Sequence, residues 1–277
     1  MDEEIRLKTP YVGRWLMDLI DTHCHFNFGD YDQDRDQIWA DSQAVGVRRL
    51  IIPAVDAHTS QEGIALAEKY EGIYAAVGIH PNSTANFDES QIEKFHAMAS
   101  HPKVISIGEI GLDYHWDKSP KSQQFRAFEA QLALAKELEL PIIIHNREAD
   151  EDVLMILEKW AKDLPESLKN RAGVLHSFSG DVELAKRALA IGFYLGFTGP
   201  ITYKNADMMR RVAASTPLDR ILVETDAPFL TPIPHRGKRN SPVYIPIMVD
   251  RLASLHNIQT EEMGRYTTEN AVKLFKL

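Results

Sequence analysis

The chain has 277 residues, 44% of them hydrophobic and 26% charged. It is therefore long enough for one sizeable core and too ordinary in composition for a disordered, collagen-like or mucin-like protein. Forty Asp and Glu against 31 Lys and Arg leave a net charge of −9, which excludes a generic polyanion binder, since nonspecific nucleic-acid affinity needs many cationic phosphate contacts. The single cysteine, Cys24, excludes an intrachain disulfide and a cysteine zinc knuckle, and no apolar run approaches the roughly 18 residues of a membrane span.

Residues 1–17 carry Asp2, Glu3, Glu4, Arg6, Lys8 and Arg14, with no apolar stretch fit for a secretory signal. They read as an arm ahead of the domain, and with one cysteine the expected setting is the reducing cytoplasm. No obligate protein partner is expected. From residue 18 onward, short apolar runs alternate with helix-length charged segments. Strands are expected at 18–22, 49–54, 73–79, 104–109, 140–145, 173–176, 192–198 and 220–224. Helices are expected at 33–45, 60–69, 122–138, 149–163 and 182–190. The clearest is 122–138, where Phe125, Phe128, Leu132 and Ala135 recur at spacings of three and four. Strand runs such as Ile142-Ile143-Ile144 are continuously apolar, as in a parallel sheet covered on both faces. Eight such strands in a chain of this length suit a single-domain α/β fold, the (β/α)8 TIM barrel, over residues 18–277. The competing open sheet lacks its G-x-G-x-x-G fingerprint.

The reactive side chains fall at one end of these strands. His23 and His25 end the first and Glu109 the fourth, His145 the fifth and His176 the sixth, while Asp226 lies just past the eighth. In a barrel these ends share the C-terminal rim, where active sites are built. Residues two apart on a strand share a face, so His23 and His25 can converge on one ion. Four imidazoles and two carboxylates suit a divalent ion such as zinc, magnesium or manganese, not a thiolate-selective one. Any one of these histidines alone is more often a hydrogen-bonded structural residue. Six ligand-type groups at the same end of five strands are a different matter. Asp21 and Glu224, two residues before His23 and Asp226, should face the same way and take the free ring N–H of a ligating histidine. His80, ending the third strand, is the best remaining histidine for a substrate contact, while His115 fits a rim or a loop role equally. The His176-Ser177-Phe178-Ser179-Gly180 run lacks the first glycine of a serine nucleophile elbow. Cys24, aimed at the other strand face, reads as a small buried hydrophobe.

After Asp226, the segment from Pro234 to Pro242 holds Arg236, Lys238 and Arg239 within four positions. In an acidic chain this is a local exception. It suits an anion clamp for phosphate, with Arg147 reaching the same pocket and Lys204 a weaker candidate; the alternative is a solvated charge cluster.

Asp21-Thr22-His23-Cys24-His25, Gly108-Glu109-Ile110-Gly111-Leu112-Asp113-Tyr114, His145-Asn146-Arg147 and His176-Ser177-Phe178-Ser179-Gly180 resemble motifs of the TatD-type metal-dependent deoxyribonucleases. So do Glu224-Thr225-Asp226-Ala227-Pro228, the Pro234–Pro242 segment and Thr267-Thr268-Glu269-Asn270-Ala271, in the family's order. The resemblance covers residues 18–277 and places the chain near the amidohydrolase-like barrels. It implies a hydrolase with two divalent ions, magnesium, manganese or zinc. By similarity His23, His25 and Asp226 hold one ion, His145 and His176 the other, and Glu109 bridges them. It also implies DNA ends as substrate, cleaved as a 3′–5′ exonuclease on single strands, with Asp226 and Glu109 catalytic and Asp226 accepting a proton from the attacking water. Arg147, Arg236, Lys238 and His80 would bind the substrate. The alternative is a hydrolase of another bond class on the same centre: an aminoacyl-tRNA ester, an amide or a lactone. The sequence departs from the pattern in its longer arm and in Ser177, where many members have Cys. An acidic chain whose positive charge gathers at one rim should capture a strand end over a short footprint, with a shallow salt dependence.

Overall fold

A computed structural model describes residues 18–277; the expected arm, residues 1–17, lies outside the described residues. Eight parallel strands follow one another in order around a barrel. They are β1 (Leu19–Asp21), β2 (Val47–Ile52), β3 (Ile73–Val77), β4 (Val104–Asp113), β5 (Ile142–Arg147), β6 (Gly173–Leu175), β7 (Phe193–Phe197) and β8 (Ile221–Val223). The ring closes where the Thr22 N–H reaches the Val223 carbonyl (3.3 Å) and the His25 N–H reaches the Ala227 carbonyl (2.8 Å). The helices are α1 (Arg35–Ala44), α2 (Ala57–Lys69), α3 (Ser90–Ala99), α4 (Lys121–Glu137), α5 (Asp150–Ala161), α6 (Val182–Ala190), α7 (Asp207–Ser215), α8 (Ile245–His256) and α9 (Thr260–Phe275). Among the described residues no helix is long and apolar enough to cross a membrane.

The alternation of strand side chains explains the apolar runs. One residue of each strand, Ile20, Ile51, Ala76, Ile105, Ile143, Val174, Tyr194 and Leu222, joins a single packed cluster inside the barrel. Their neighbours, such as Leu19, Leu50, Ile52, Ile142 and Ile144, pack outward against the helices. The N-terminal mouth is closed by α9, whose Ala271, Leu274 and Phe275 join the inner cluster. Asn270 secures this helix by donating to the Leu218 (2.8 Å) and Ile221 (2.9 Å) carbonyls, and Arg171 donates to the Leu274 carbonyl at 2.8 Å. The Thr267–Ala271 motif is thus part of the floor, leaving the opposite rim for chemistry.

Two strands run further than their apolar patterns suggested. β4 continues past Glu109 to Asp113, and β5 past His145 to Arg147. The cause is pairing between them: Gly111, Leu112 and Asp113 stand opposite His145, Asn146 and Arg147. Within this ladder the partner of Ile142 is Ile107, whereas that of Ile144 is Ile110. β4 therefore spends one extra residue over this stretch, a bulge at Glu109 that re-aims its side chain.

Candidate metal centre

Each element delivers one or two polar groups to the open mouth. His23 and His25 follow β1, Glu109 sits at the β4 bulge, His145 lies in β5, His176 comes directly after β6, and Asp226 comes just past β8. All six converge. His23 Nε2 lies 3.4 Å from Glu109 Oε2 and 3.6 Å from Asp226 Oδ1. His25 Nε2 lies 4.0 Å from the same Glu109 oxygen and 3.5 Å from Asp226 Oδ1. His176 Nε2 is 3.5 Å from Asp226 Oδ1, and the His176 and His23 rings stack with centroids 3.3 Å apart. His145 Nδ1 contacts Glu109 Oε1 at 2.8 Å.

These groups form three overlapping ligand sets: His23, His176 and Asp226; His23, His25 and Glu109; and His80, Glu109 and His145. His176 therefore keeps company with His23 and Asp226, while His145 is grouped with Glu109. The His80 ring lies 4.2 Å from that of His145, and its Nδ1 accepts from the Asn82 N–H at 3.1 Å, which leaves Nε2 for the cavity.

The donor set fits a divalent cation. His23 is wholly buried, yet neither of its ring nitrogens has a hydrogen-bond partner, and buried His25 Nδ1 is likewise unpartnered. An unsatisfied buried polar group costs about 1–3 kcal/mol. Coordination of an ion by His23 Nε2, which faces Glu109 and Asp226, removes that cost at this atom, with the two carboxylates supplying negative charge. Burial works against ionisation of Glu109, but the His23 and His145 imidazoles outweigh it and hold the carboxyl well below its usual range. Burial likewise opposes ionisation of Asp226, and His176, His25 and His23 hold it low.

Outer carboxylates orient two of the imidazoles. His176 Nδ1 donates to Glu224 Oε2 at 2.8 Å, as Glu224's strand position suggested, and the Ser177 N–H reaches the same oxygen at 3.0 Å. Asp21 behaves differently. It accepts from the His23 N–H (3.2 Å), the Thr225 N–H (3.0 Å) and the Thr225 hydroxyl (2.6 Å), so it fixes the backbone between β1 and β8 and touches no imidazole. Sequence reasoning missed Asp113. Its Oδ2 contacts His145 Nε2 at 3.0 Å and the Asn82 amide at 3.0 Å, while Oδ1 accepts from the His115 and Trp116 N–H groups. The signal was present in its strand parity with Gly111 and Glu109, hidden by the expectation that β4 ended earlier.

The cationic segment divides. Arg239 does not belong to an anion clamp: its guanidinium forks onto Asp34 at 2.6 and 3.1 Å and lies over the Tyr31 ring at 4.8 Å, binding this loop to the β1–α1 connection. Arg236 rests over the Tyr203 ring at 4.5 Å and Arg147 beside the Trp116 ring at 5.6 Å. Arg147, Arg236 and Lys238 are exposed, and none has a carboxylate partner among the described residues. Ser177 Oγ pairs with Thr198 Oγ1 at 2.8 Å rather than with a histidine, as no nucleophilic serine would. Cys24 is buried and free.

A family model described as TatD related DNase matches residues 20–276. An uncharacterized metal-dependent hydrolase, YabD of Bacillus subtilis, is 43% identical over 259 residues, covering 94% of this chain and 99% of that protein. The 3′–5′ ssDNA/RNA exonuclease TatD of Salmonella typhimurium is 31% identical over 265 residues, covering 94% and 99%. The crystal structure of YjjV, a TatD homologue from Escherichia coli K12, superposes with a TM-score of 0.88 at 33% identity, covering 95% of this chain and all of that one. Dihydroorotase from Campylobacter jejuni, at 15% identity and a TM-score of 0.58, shares the barrel alone.

Proposed function

The chain belongs to the TatD-related DNase family and is a metal-dependent hydrolase, and from that premise we propose that it is a deoxyribonuclease that shortens single-stranded DNA from its 3′ end. The observation that carries this proposal is the fully buried His23 imidazole, unpartnered among the described residues, inside a ring of ligand-type groups. Exposed Arg147 of β5 and Arg236 and Lys238 of the segment after β8, without a carboxylate partner among the described residues, supply cations suited to phosphate. His23, His25, His176 and Asp226 on one side and His145 on the other would hold the divalent ions, with Glu109 reaching both. His80, whose Nδ1 accepts from the Asn82 N–H and whose Nε2 therefore carries the proton, would be a substrate contact.

Divalent ions in such a site polarise a phosphoryl oxygen and lower the pKa of water from 15.7 to roughly 7. The chain's own groups do the rest. Asp226 is ionised at neutral pH, so its carboxylate is in the state that accepts a proton as water attacks phosphorus, while the bond from phosphorus to the leaving sugar oxygen breaks and that oxygen takes a proton from solvent. Arg147, Arg236 and Lys238 neutralise the phosphate, and the two arginines offer paired N–H donors that orient it. Glu224 and Asp113 hold His176 and His145 in the ring orientations the cavity needs. Replacing Asp113→Asn removes the anionic acceptor at almost unchanged volume. It should weaken divalent-ion affinity or turnover about 10- to 100-fold, as such outer partners do. Metal titration of both proteins checks this, and equal affinity and turnover would remove Asp113 from the centre.

A substrate panel tests the proposal itself: 3′-ended single-stranded DNA, RNA, aminoacyl-tRNA, and small amides and lactones, each with and without chelator. Chelator-sensitive shortening of DNA from the 3′ end is the expected result. Chelator-sensitive hydrolysis confined to amides, lactones or aminoacyl esters would replace the nuclease assignment with the other bond class.

A further inference from the structure

Large apolar side chains are mostly buried here, and the exceptions among the described residues are Trp116 (47% exposed), Met155, Met208 and Phe229 (51%). The two aromatic ones both adjoin the candidate metal centre, Trp116 through its main-chain N–H and Phe229 through its ring. The Trp116 N–H donates to Asp113 Oδ1 at 3.1 Å, and the other oxygen of that carboxylate contacts His145. The Phe229 ring lies edge-on to His25 at 6.2 Å and to Phe28 at 6.3 Å, and Phe28 itself stacks on His25 at 4.6 Å.

Their placement around the ring is informative. Trp116 follows β4 and lies beside Arg147 of β5, whereas Phe229 follows β8 and lies against Phe28 beyond β1. With the strands in sequential order, the β4–β5 and β8–β1 junctions are four strands apart in either direction. The loops that carry the two exposed rings therefore rise from opposite sides of the mouth that holds the imidazoles and carboxylates. Cations accompany one of them: Arg147 and Lys118 each lie 5.6 Å from the Trp116 ring. A ring exposed to water beside cations suits a ligand that alternates flat π-faces with negative charge, which is the repeat of a single nucleic-acid strand.

We propose that Trp116 and Phe229 form the two sides of a base-stacking bracket that holds nucleobases on either side of the scissile phosphate of a single-stranded DNA end. This inference rests on the nuclease assignment. Arg147 and Lys118 take the phosphate next to the base on Trp116. Phe28 backs Phe229. Because every base has a π-face, the bracket selects unpaired strands over duplex without reading sequence. It also gives an acidic protein affinity for DNA that does not depend on many phosphate contacts.

The test compares the metal-loaded enzyme with its Trp116→Ala, Phe229→Ala and Trp116→Phe variants on two substrates. One is a single-stranded oligonucleotide and the other is methyl p-nitrophenyl phosphate, a diester that carries no base. Each alanine variant should lower the ratio of kcat/KM on DNA to kcat/KM on the small diester about tenfold, chiefly through KM, the size expected for losing one stacked base. Trp116→Phe should recover most of that loss. An oligonucleotide with abasic residues at its 3′ end should bring wild type and variants together. If wild type shortens DNA and the alanine variants keep its ratio, the bracket is overturned and the nuclease assignment stands. If wild type cleaves the small diester in a metal-dependent way but never DNA, the nuclease assignment is overturned and the bracket with it.

Discussion

Replacing Glu109→Gln should reduce metal-dependent hydrolysis at least about 100-fold while leaving the barrel folded, a loss beyond what outer partners of metal ligands usually cost. Glu109 is the group that reaches both halves of the cluster: one oxygen lies near His23 and His25, and the other contacts His145. The amide has the same shape but no charge, and its nitrogen would confront an imidazole it cannot ligate alongside. Asp226→Asn should behave alike. Asp226 adopts φ 55°, a left-handed conformation in which asparagine is among the best tolerated residues, so the fold has little reason to suffer. Steady-state kinetics and metal titration, with circular dichroism as the control for folding, check both variants. Wild-type turnover in either would remove that carboxylate from the centre.

Gly111→Ala should be the most damaging small substitution in the barrel wall. Gly111 adopts φ +145°, and a Cβ there would stand 2.0 Å from the His145 carbonyl oxygen, an approach that no rotamer can relieve because the obstacle is backbone. The ladder between β4 and β5 would have to part at the residue that carries His145. A cost of about 3 kcal/mol or more is expected, since positional strain and overpacking add. For a domain of this size that lowers Tm by roughly 10 °C. Gly237→Ala is the matched control. That glycine also has positive φ, +90°, but a Cβ there would meet nothing within 4 Å, so only the local backbone preference, about 1–2 kcal/mol, is lost. Thermal denaturation of the two variants distinguishes them, and equal Tm values would show that the β4–β5 approach is not limiting.

The barrel was legible because its wall is buried on both faces, so each strand appears as an unbroken apolar run whatever its neighbours do. The six ligand-type residues were legible for a related reason: strand C-termini share one rim, and strand parity places His23 with His25. Legibility failed where partners decide geometry. The β4 extension and the bulge at Glu109 arise from pairing with β5, which hid Asp113 behind an expected strand end. Asp21 has the parity of a histidine partner, yet the Thr225 hydroxyl and amide capture it first. Arg236, Lys238 and Arg239 are equivalent as charges in a row. Only folding shows that Arg239 is consumed by Asp34, some two hundred positions away, while Arg236 remains on the Tyr203 ring. The TatD-like motifs named the six ligand-type residues that converge, whereas only the strand order shows that the loops of Trp116 and Phe229 rise from opposite sides of the mouth.

Chelation followed by add-back is the most direct test of whether this ring of imidazoles and carboxylates is a metal centre that hydrolyses DNA. Purified protein is stripped with chelator, assayed on a 3′-labelled single-stranded oligonucleotide, then titrated with magnesium, manganese or zinc while bound metal is measured by mass spectrometry. The expected result is loss of hydrolysis on stripping and its recovery in step with metal uptake for wild type, with no recovery for Glu109→Gln. Hydrolysis that survives complete removal of metal would contradict the assignment.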